Sequence, residues 1–362
     1  VQVVSARIGY VTGQGLAANI KRAFPRPVLL SVVGLLLAAN TLNIAADIAA
    51  MAAATQLVAG GSLHAWAVSF GMVCLLLQVF VPYHRYVGWL KWLTLSLLSY
   101  VAVVLLIRVD WGLVLARTLD PRLALGREAL LTAVAVFGTT ISPYLFFWQA
   151  SQEVEDKQVA MPRSASAVRK HLRAIRWDTG VGMTFSNLVA FFIILATGVT
   201  LHAAGITDIQ TSAQAAQALR PVAGDAAFVL FACGIVATGL LAVPVLAGSA
   251  AYAVAESAGW QGSLALHLER GQGRGFYAII AAATLGGVVL CFLPMDPVRG
   301  LFWAAVINGV ISVPIMAVMM LLAGRRAIMG GHVVGRRLRW LGWAATGVMA
   351  VTVLALGLMS LG

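Results

Sequence analysis

Apolar residues dominate the chain in nine long segments, which short polar connections separate. Each segment is close to the length of about 20 residues that a helix needs to cross a bilayer. The predicted spans are residues 28–58, 64–81, 87–107, 128–154, 177–202, 224–256, 276–294, 299–324 and 338–361. The pattern therefore predicts an all-α, polytopic membrane protein with about nine complete transmembrane helices.

The first 27 residues do not follow this pattern. They begin VQVVSARIGYVTGQGLAANIKR, with neither an initiator Met nor the apolar core of a signal peptide. A short semi-apolar stretch precedes a basic connection. We interpret residues 1–27 as the end of a further helix followed by a cytoplasmic loop.

The composition supports the membrane assignment. Of the 362 residues, 60% are hydrophobic and only 10% are charged, and the mean hydropathy is +0.90. This composition excludes the two soluble domains that the length alone would suggest. We expect the lipid bilayer to surround the chain.

The basic residues give the spans a direction. The net charge of +12 could suggest nucleic acid, but the 25 Lys and Arg residues are divided between alternate connections and form no single patch. Nineteen fall on one side of the predicted membrane and six on the other. Because short cytoplasmic loops are rich in Lys and Arg, the side with nineteen is predicted to be cytoplasmic and the C-terminus extracytoplasmic. We expect no nucleic-acid partner.

The fourth predicted span contains the sequence GTTISPYLFFWQASQ, residues 138–152, which interrupts an apolar helix near its middle. Pro143 lacks an N–H and clashes with the carbonyl group four residues earlier, that of Thr139. Unpaired backbone groups are costly in hydrocarbon, so such a break persists where it is buried in protein or lines a wet cavity. A half-helix that ends near Gly138 also places partial negative charge in the membrane, which attracts a cation.

Hydroxyl and carbonyl oxygens surround this break, and oxygen ligands suit Mg²⁺, Mn²⁺ or Ca²⁺. The candidate metal ligands are Gly138, Thr139, Ser142 and Tyr144, with Gln149 as a further polar group. The alternative is a simple proline kink, in which Thr and Ser side chains of the same helix satisfy the freed backbone groups.

Other polar residues lie inside spans. The first span reads NTLNIAADIAAM, which places Asn40, Asn43 and Asp47 near one helix face. An ionisable group within a span usually faces a pathway or a partner, and the alternative is a carboxyl group that is neutral or bonded to Asn43. Asn308, in the eighth span, is a second candidate for an interior polar contact.

These motifs, together with MDPVRGLFWAAVINGVISVP at residues 295–314, resemble the Nramp (natural resistance-associated macrophage protein) family of divalent metal transporters. The resemblance covers essentially the whole chain and implies a LeuT-like fold of two inverted repeats. Residues 1–362 then form a single transporter domain, with 28–107 as the remainder of the first repeat, 128–324 as the second repeat and 338–361 as an additional helix. The implied function is transport of a divalent metal ion by alternating access, with the ion at residues 138–143.

The resemblance also has implications for the ion. Ser142, Pro143 and Tyr144 occupy the place of the family's Met-Pro-His motif, and the loss of the soft Met ligand places Mg²⁺ ahead of Mn²⁺, as in the Nramp-related magnesium branch. Asp47 matches a family position on the proton route, but Tyr144 and Ala50 replace the family's His and Glu, which argues against proton coupling. The metal is the transported substrate, and no cofactor is expected.

The family's first helix, which carries an Asp-Pro-Gly-Asn-like motif, has no counterpart in these residues. We therefore expect the chain to be an N-terminally truncated transporter, and the alternative function is that of a non-transporting or degenerate membrane subunit. The expected location is a bacterial inner (plasma) membrane. The oligomeric state and the direction of transport stay open.

An enzyme is the other class of function considered. All six His residues fall in connections or at span ends, none forms an HExxH pair, and no GxSxG surrounds Ser142. We expect no catalytic residues. Cys74, Cys233 and Cys291 lie in spans and are expected to be small buried residues.

Overall fold

The computed structural model describes residues 1–81, 88, 90, 92, 94–119, 126–159, 165–260, 262–264, 273–294 and 296–361. All regular secondary structure in these residues is helical. The main helices are α1 (Gln2–Thr12), α2 (Leu16–Ala23), α3 (Arg26–Ala59), α4 (Leu63–Phe80), α5 (Leu98–Leu106), α6 (Trp111–Leu119), α7 (Arg127–Thr140), α8 (Pro143–Val159), α9 (Ala165–Thr197), α10 (Ala227–Ala258), α11 (Arg274–Leu290), α12 (Pro297–Gly324) and α13 (Arg336–Leu361). Short helical turns occupy much of residues 198–226, between α9 and α10.

Seven of the nine predicted spans correspond to helical stretches in the described residues that are long and apolar enough to cross a membrane. The seventh prediction corresponds to α11, which has 17 residues. The third corresponds to α5, preceded by a 3₁₀ turn at Thr94–Leu97, and much of its predicted beginning lies outside the described residues. Helix α6 follows α5 at an angle of 114°.

Helix α3 lies at the centre of the bundle and packs against α10, α12, α11 and α4. Its apolar residues surround the whole helix rather than one stripe, which is typical of a membrane-spanning helix. Leu36, Ile44, Ile48 and Met51 have no measurable exposure, whereas Leu30 is exposed. One side of α3 therefore faces the interior of the bundle and another faces outward.

Two pairs of helices approach each other through glycine. A methyl group on Gly138 of α7 would lie 1.9 Å from the carbonyl oxygen of Ala305 in α12, and one on Gly9 of α1 would lie 2.2 Å from that of Ala150 in α8. Glycine allows membrane helices to pack at backbone distance. The chain thus forms two close pairs, α7 with α12 and α1 with α8.

Exposure corrects one expectation about the cysteines. Cys74 is buried and Cys291 is half-buried, but Cys233 is exposed. Cys233 lies between the buried residues Ala232 and Gly234 of α10, on a side of the helix that faces outward. The average apolarity of a span does not identify the face that a single residue occupies.

Candidate cation site at a broken helix

The predicted break in the fourth span is present. Helix α7 ends at Thr140, Ile141 takes a non-helical conformation with φ −115° and ψ 67°, and α8 starts at Pro143. Pro143 occupies the first position of α8, where its missing N–H would have had no helical partner in any case. The sequence therefore produces two half-helices, and Ser142 is buried between them.

Hydroxyl groups contact the carbonyl groups at the end of α7. The Ser142 Oγ lies 3.1 Å from the carbonyl oxygens of both Gly138 and Thr139, to which it can donate. The Thr140 Oγ1 lies 3.0 Å from the carbonyl oxygen of Val136 and 3.2 Å from that of Phe137. These contacts are those expected of a proline kink that satisfies itself. They also gather hydroxyl and carbonyl oxygens at one point near the middle of a span.

Thr139 and Tyr144 lie beside the break in different surroundings. Thr139 is exposed, whereas Tyr144 is half-buried between the two largest apolar clusters. Gln149 lies further along α8, where its Nε2 donates to the Thr179 Oγ1 of α9 at 3.2 Å. Its Oε1 is buried without a hydrogen-bond partner in the described residues. Gln149 therefore joins α8 to α9 rather than lying at the break.

An amide pair lies next to the break. Asn308 immediately precedes Gly309, whose added methyl group would lie 2.6 Å from the carbonyl oxygen of Val134 in α7. The Asn308 side chain is 3% exposed and exchanges two hydrogen bonds with Asn43 of α3, at 3.0 and 2.9 Å. The structure thus brings Asn43 and Asn308 together at the level where α7 packs against α12.

The other two polar residues of α3 have different surroundings. Asn40 is fully buried, and its Nδ2 donates to the Leu246 carbonyl group and the Ser249 Oγ of α10 at 2.8 and 2.7 Å. The half-buried Asp47 accepts no hydrogen bond from any described residue, so the proposed bond to Asn43 is not formed. Asp47 lies close enough to Cys74 of α4 for an electrostatic interaction. The prediction that the three residues share one face holds only roughly, because adjoining sides of α3 meet different helices.

A carboxylate for which the sequence gives no signal organises the C-terminal part of α8. Glu256 of α10 accepts hydrogen bonds from the backbone N–H groups of Ala17 and Ala18 at 3.0 and 3.2 Å, and from the Ser151 Oγ of α8 at 2.9 Å. A methyl group on Gly15 would lie 1.7 Å from its Oε1. Glu256 therefore caps α2 and connects it to α10 and α8. Because Glu256 lies near the end of a predicted span, the pattern of charges at mid-membrane gives no signal for it.

Two further contacts join α8 to its neighbours at this end. The Tyr252 Oη of α10 donates to the Glu155 Oε1 at 2.6 Å. The His171 Nε2 of α9 lies 3.1 Å from the Glu153 Oε2, and the His171 ring stacks on Tyr10 of α1 with a centroid distance of 4.1 Å. Side chains of α1, α9 and α10 thus surround this half of the broken helix.

The arrangement is suited to a cation rather than to covalent chemistry. In the described residues the partners of the Ser142 hydroxyl are carbonyl groups, with no His or Lys base among them. Nor does any group of three or more His, Cys, Asp or Glu side chains gather within the described ranges. His84 and His267 lie outside these ranges. What the site offers is a set of neutral oxygens at a helix break.

The family model for natural resistance-associated macrophage protein-like proteins (Nramp) matches residues 1–359. The chain belongs to the Nramp family. The match covers nearly all of its 362 residues, so the resemblance seen in the motifs extends over the whole bundle. Nramp proteins are transporters rather than enzymes, and for such a protein a metal ion is a substrate rather than a cofactor.

Relatives support this assignment. A divalent metal cation transporter MntH of Klebsiella pneumoniae is 26% identical over 363 residues, which cover 96% of this chain and 80% of that protein. Two crystal structures of a manganese transporter of Eremococcus coleocola superpose with TM-scores of 0.75 and 0.73 at 16% and 17% identity, and each likeness covers 98% of this chain and 76% of the solved one. These likenesses confirm the predicted LeuT-like Nramp fold.

Proposed function

We propose that this Nramp protein moves a divalent metal ion across the membrane and that the ion passes between the break at Gly138–Ser142 and the Asn43–Asn308 pair. The observation that supports this proposal most is the meeting of three helices at one level. The open end of α7 packs against α12 beside Asn308, and Asn308 contacts α3 through Asn43. Carbonyl groups at a helix end and side-chain oxygens are suitable ligands for a hard cation near mid-membrane.

Mg²⁺ or Mn²⁺ is the proposed substrate. The groups at the break are carbonyl and hydroxyl oxygens, with Ser142 in place of a soft thioether, and such oxygens favour hard ions. Mn²⁺ has separate support, because one of the similar solved structures is that of a manganese transporter. On this proposal the Ser142 hydroxyl and the Gly138 and Thr139 carbonyl groups exchange their mutual hydrogen bonds for contacts to the ion.

Alternating access is the proposed mechanism, with α7 and α8 tilting around Ile141 relative to the surrounding helices other than α12 and α1, with which they are in backbone contact. We propose that residues 28–107 belong to the first repeat, that 128–324 form the second, and that α13 is additional. The distribution of Lys and Arg supports a cytoplasmic location for the side with nineteen of them and an extracytoplasmic C-terminus.

The test is metal entry into proteoliposomes that contain the purified chain, measured separately for Mg²⁺ and Mn²⁺ with ion-sensitive dyes. The double variant Thr139→Ala and Ser142→Ala is compared with Ser69→Ala and Thr352→Ala, which removes the same two hydroxyl types from positions in α4 and α13 where each hydroxyl bonds only its own helix. We expect the first pair to slow entry at least tenfold and the second to leave it unchanged. Equal rates in both variants, or no entry with the unmodified chain, would overturn the proposal.

A further inference from the structure

Tyr252 of α10 joins three parts of the chain through its hydroxyl group. The side chain is 2% exposed, and its Oη donates to the Glu155 Oε1 of α8 at 2.6 Å. The same oxygen accepts the backbone N–H of Leu264 at 3.2 Å, and the Gln152 Nε2 of α8 lies 3.5 Å away. One buried hydroxyl group therefore connects α8, α10 and the residues that follow α10.

Aromatic rings fix the position of this hydroxyl group. The Tyr252 ring packs edge-on against Phe276 of α11 with a centroid distance of 4.9 Å, and against Trp148 of α8 at 6.0 Å. Phe276 has no measurable exposure, so the Tyr252 ring lies against the interior of the bundle. These contacts leave the ring little freedom to follow α8. If α8 moves away from α10, the hydroxyl group stays with α10 and its bond to Glu155 breaks.

The contacts of α8 with α1 and with α10 differ in kind. Gly9 of α1 lies so close to the backbone of Ala150 that an added methyl group would be 2.2 Å from its carbonyl oxygen. The contacts with α10 are hydrogen bonds of side chains, among them those of Ser151 and Glu155. Glu155 is half-buried, so water can replace the Tyr252 hydroxyl group as its partner. The bonds to α10 can therefore break and re-form while the backbone contact between α8 and α1 persists.

We infer that the hydrogen bond between Tyr252 and Glu155 is a latch, which holds α8 against α10 and breaks when α8 tilts around Ile141 to open that side of the membrane to the ion. On the orientation proposed above, this side is the cytoplasmic one. The inference rests on the proposed function, because the tilt of α8 is part of that proposal. A hydrogen bond to a carboxylate is short and strong, and it fixes the relative position of the two groups.

The rate at which N-ethylmaleimide modifies an introduced thiol tests the latch, in the full chain in nanodiscs and without metal. The thiol is that of Ser151→Cys, because Ser151 is 3% exposed and bonds Glu256 of α10, and the three native cysteines are replaced by Ala. Tyr252→Phe keeps the ring and removes only the hydroxyl group. We expect this change to raise the rate of modification by roughly tenfold, the factor that corresponds to the loss of a hydrogen bond to a charged group.

Matched variants show whether the effect belongs to this pair. Glu155→Ala should raise the rate as much as Tyr252→Phe, and the two changes together should raise it no further. Asp156→Ala removes a neighbouring carboxylate at an exposed position and should have no effect. Tyr100→Phe removes the hydroxyl group of another buried tyrosine, in α5, and should also have no effect.

A second thiol distinguishes the separation of α8 from a general loss of stability. Ser312→Cys places it in α12 at a position with no measurable exposure, and Tyr252→Phe should not accelerate its modification. Equal rates at Ser151→Cys with and without the Tyr252 hydroxyl group, or equal acceleration at both thiols, would overturn the inference. The modification requires no ion flux. Failure of metal entry into proteoliposomes would therefore count against the proposed function, whereas an unchanged rate of modification would count against the latch.

Discussion

The side-chain amides of Asn43 and Asn308 hold each other by two reciprocal hydrogen bonds, in which the Nδ2 of each donates to the Oδ1 of the other. This pair connects α3 to α12 one residue away from the contact between α12 and α7. Each amide oxygen accepts one hydrogen bond and retains a second lone pair. An ion that approaches the broken helix can therefore contact an amide oxygen while the pair stays intact.

Removal of one partner of this pair should affect both stability and transport. In Asn308→Ala the Asn43 amide loses its partner on α12, and we expect a coupling energy of about 0.6 kcal/mol in a double-mutant cycle with Asn43→Ala. Reversible unfolding in mixed micelles measures this energy, and metal entry should fall in the same variant. Asn187→Ala is the control, because the exposed Asn187 binds only its own helix. Fully additive effects of the two substitutions would contradict the prediction.

Replacement of Gly138 or Gly9 by Ala should destabilise the protein. Gly138→Ala would place a carbon 1.9 Å from the Ala305 carbonyl oxygen, and Gly9→Ala would place one 2.2 Å from that of Ala150. The backbones must separate to accommodate either change. We therefore expect the free energy of unfolding to fall by about 1–3 kcal/mol, as is typical of overpacking. Gly34→Ala and Gly347→Ala, which meet nothing within 4 Å, should be neutral or stabilising. Thermal unfolding in detergent distinguishes the two groups.

The identity of the ion is expected to depend on Ser142. In Ser142→Met a soft thioether replaces a hard hydroxyl group, which should shift competition towards Cd²⁺ and away from Mg²⁺ by roughly tenfold, equivalent to about 1.4 kcal/mol. Competition between these ions during entry into proteoliposomes measures the shift. Ser69→Met, on the exposed side of α4, is the control. An unchanged ratio would remove Ser142 from the ion's ligands.

Substitution of either Glu256 or Gly15 should weaken the interaction between Glu256 and the start of α2. Glu256→Gln can keep an oxygen on the N–H groups of Ala17 and Ala18 and donate to the Ser151 hydroxyl, but it removes the negative charge from the N-terminus of α2, at an expected cost of about 0.3–1 kcal/mol. Gly15→Ala forces the carboxylate away, and it should destabilise the protein although the backbone of Gly15, at φ −68°, is open to any residue. Glu128→Gln, at an exposed position, is the matched control in the same unfolding measurement. Equal melting temperatures for Glu256→Gln and Glu128→Gln would disprove the capping role.

The orientation inferred from the basic residues is testable with reporter fusions. Alkaline phosphatase attached after Gly362 should be active, because the C-terminus is expected outside the cytoplasm. The same enzyme inserted after Gly331, between α12 and α13, should be inactive. Green fluorescent protein should give the opposite result at the two positions.

The position of the break could be predicted because its causes are local. Pro143 and the polar residues before it end α7 wherever the helix lies in the fold, and α7 ends at Thr140 as expected. The spans could likewise be identified, since apolar length is a property of the chain itself. A count of apolar residues is less accurate for α11, which has only 17 residues, and for α5, which follows a 3₁₀ turn.

The partners of the polar residues could not be predicted, because they depend on which helices become neighbours. Asn43 and Asp47 are four residues apart, yet the Asn43 amide binds Asn308, 265 positions away. Glu256 gave no signal, because its role arises only when the first turn of α2 arrives beside it. The sequence identifies Ser142 by its hydroxyl group, and the structure shows which carbonyl oxygens that group contacts.

The glycine contacts also place the two halves of the broken helix in two different helix pairs. Helix α7 is in backbone contact with α12 through Gly138, and α8 is in backbone contact with α1 through Gly9. Spin labels placed within either pair should therefore report a nearly constant distance during transport. A pair with one label on α7 and the other on α8 should record a change of shape at Ile141, so that the protein supplies its own internal reference for distance measurements.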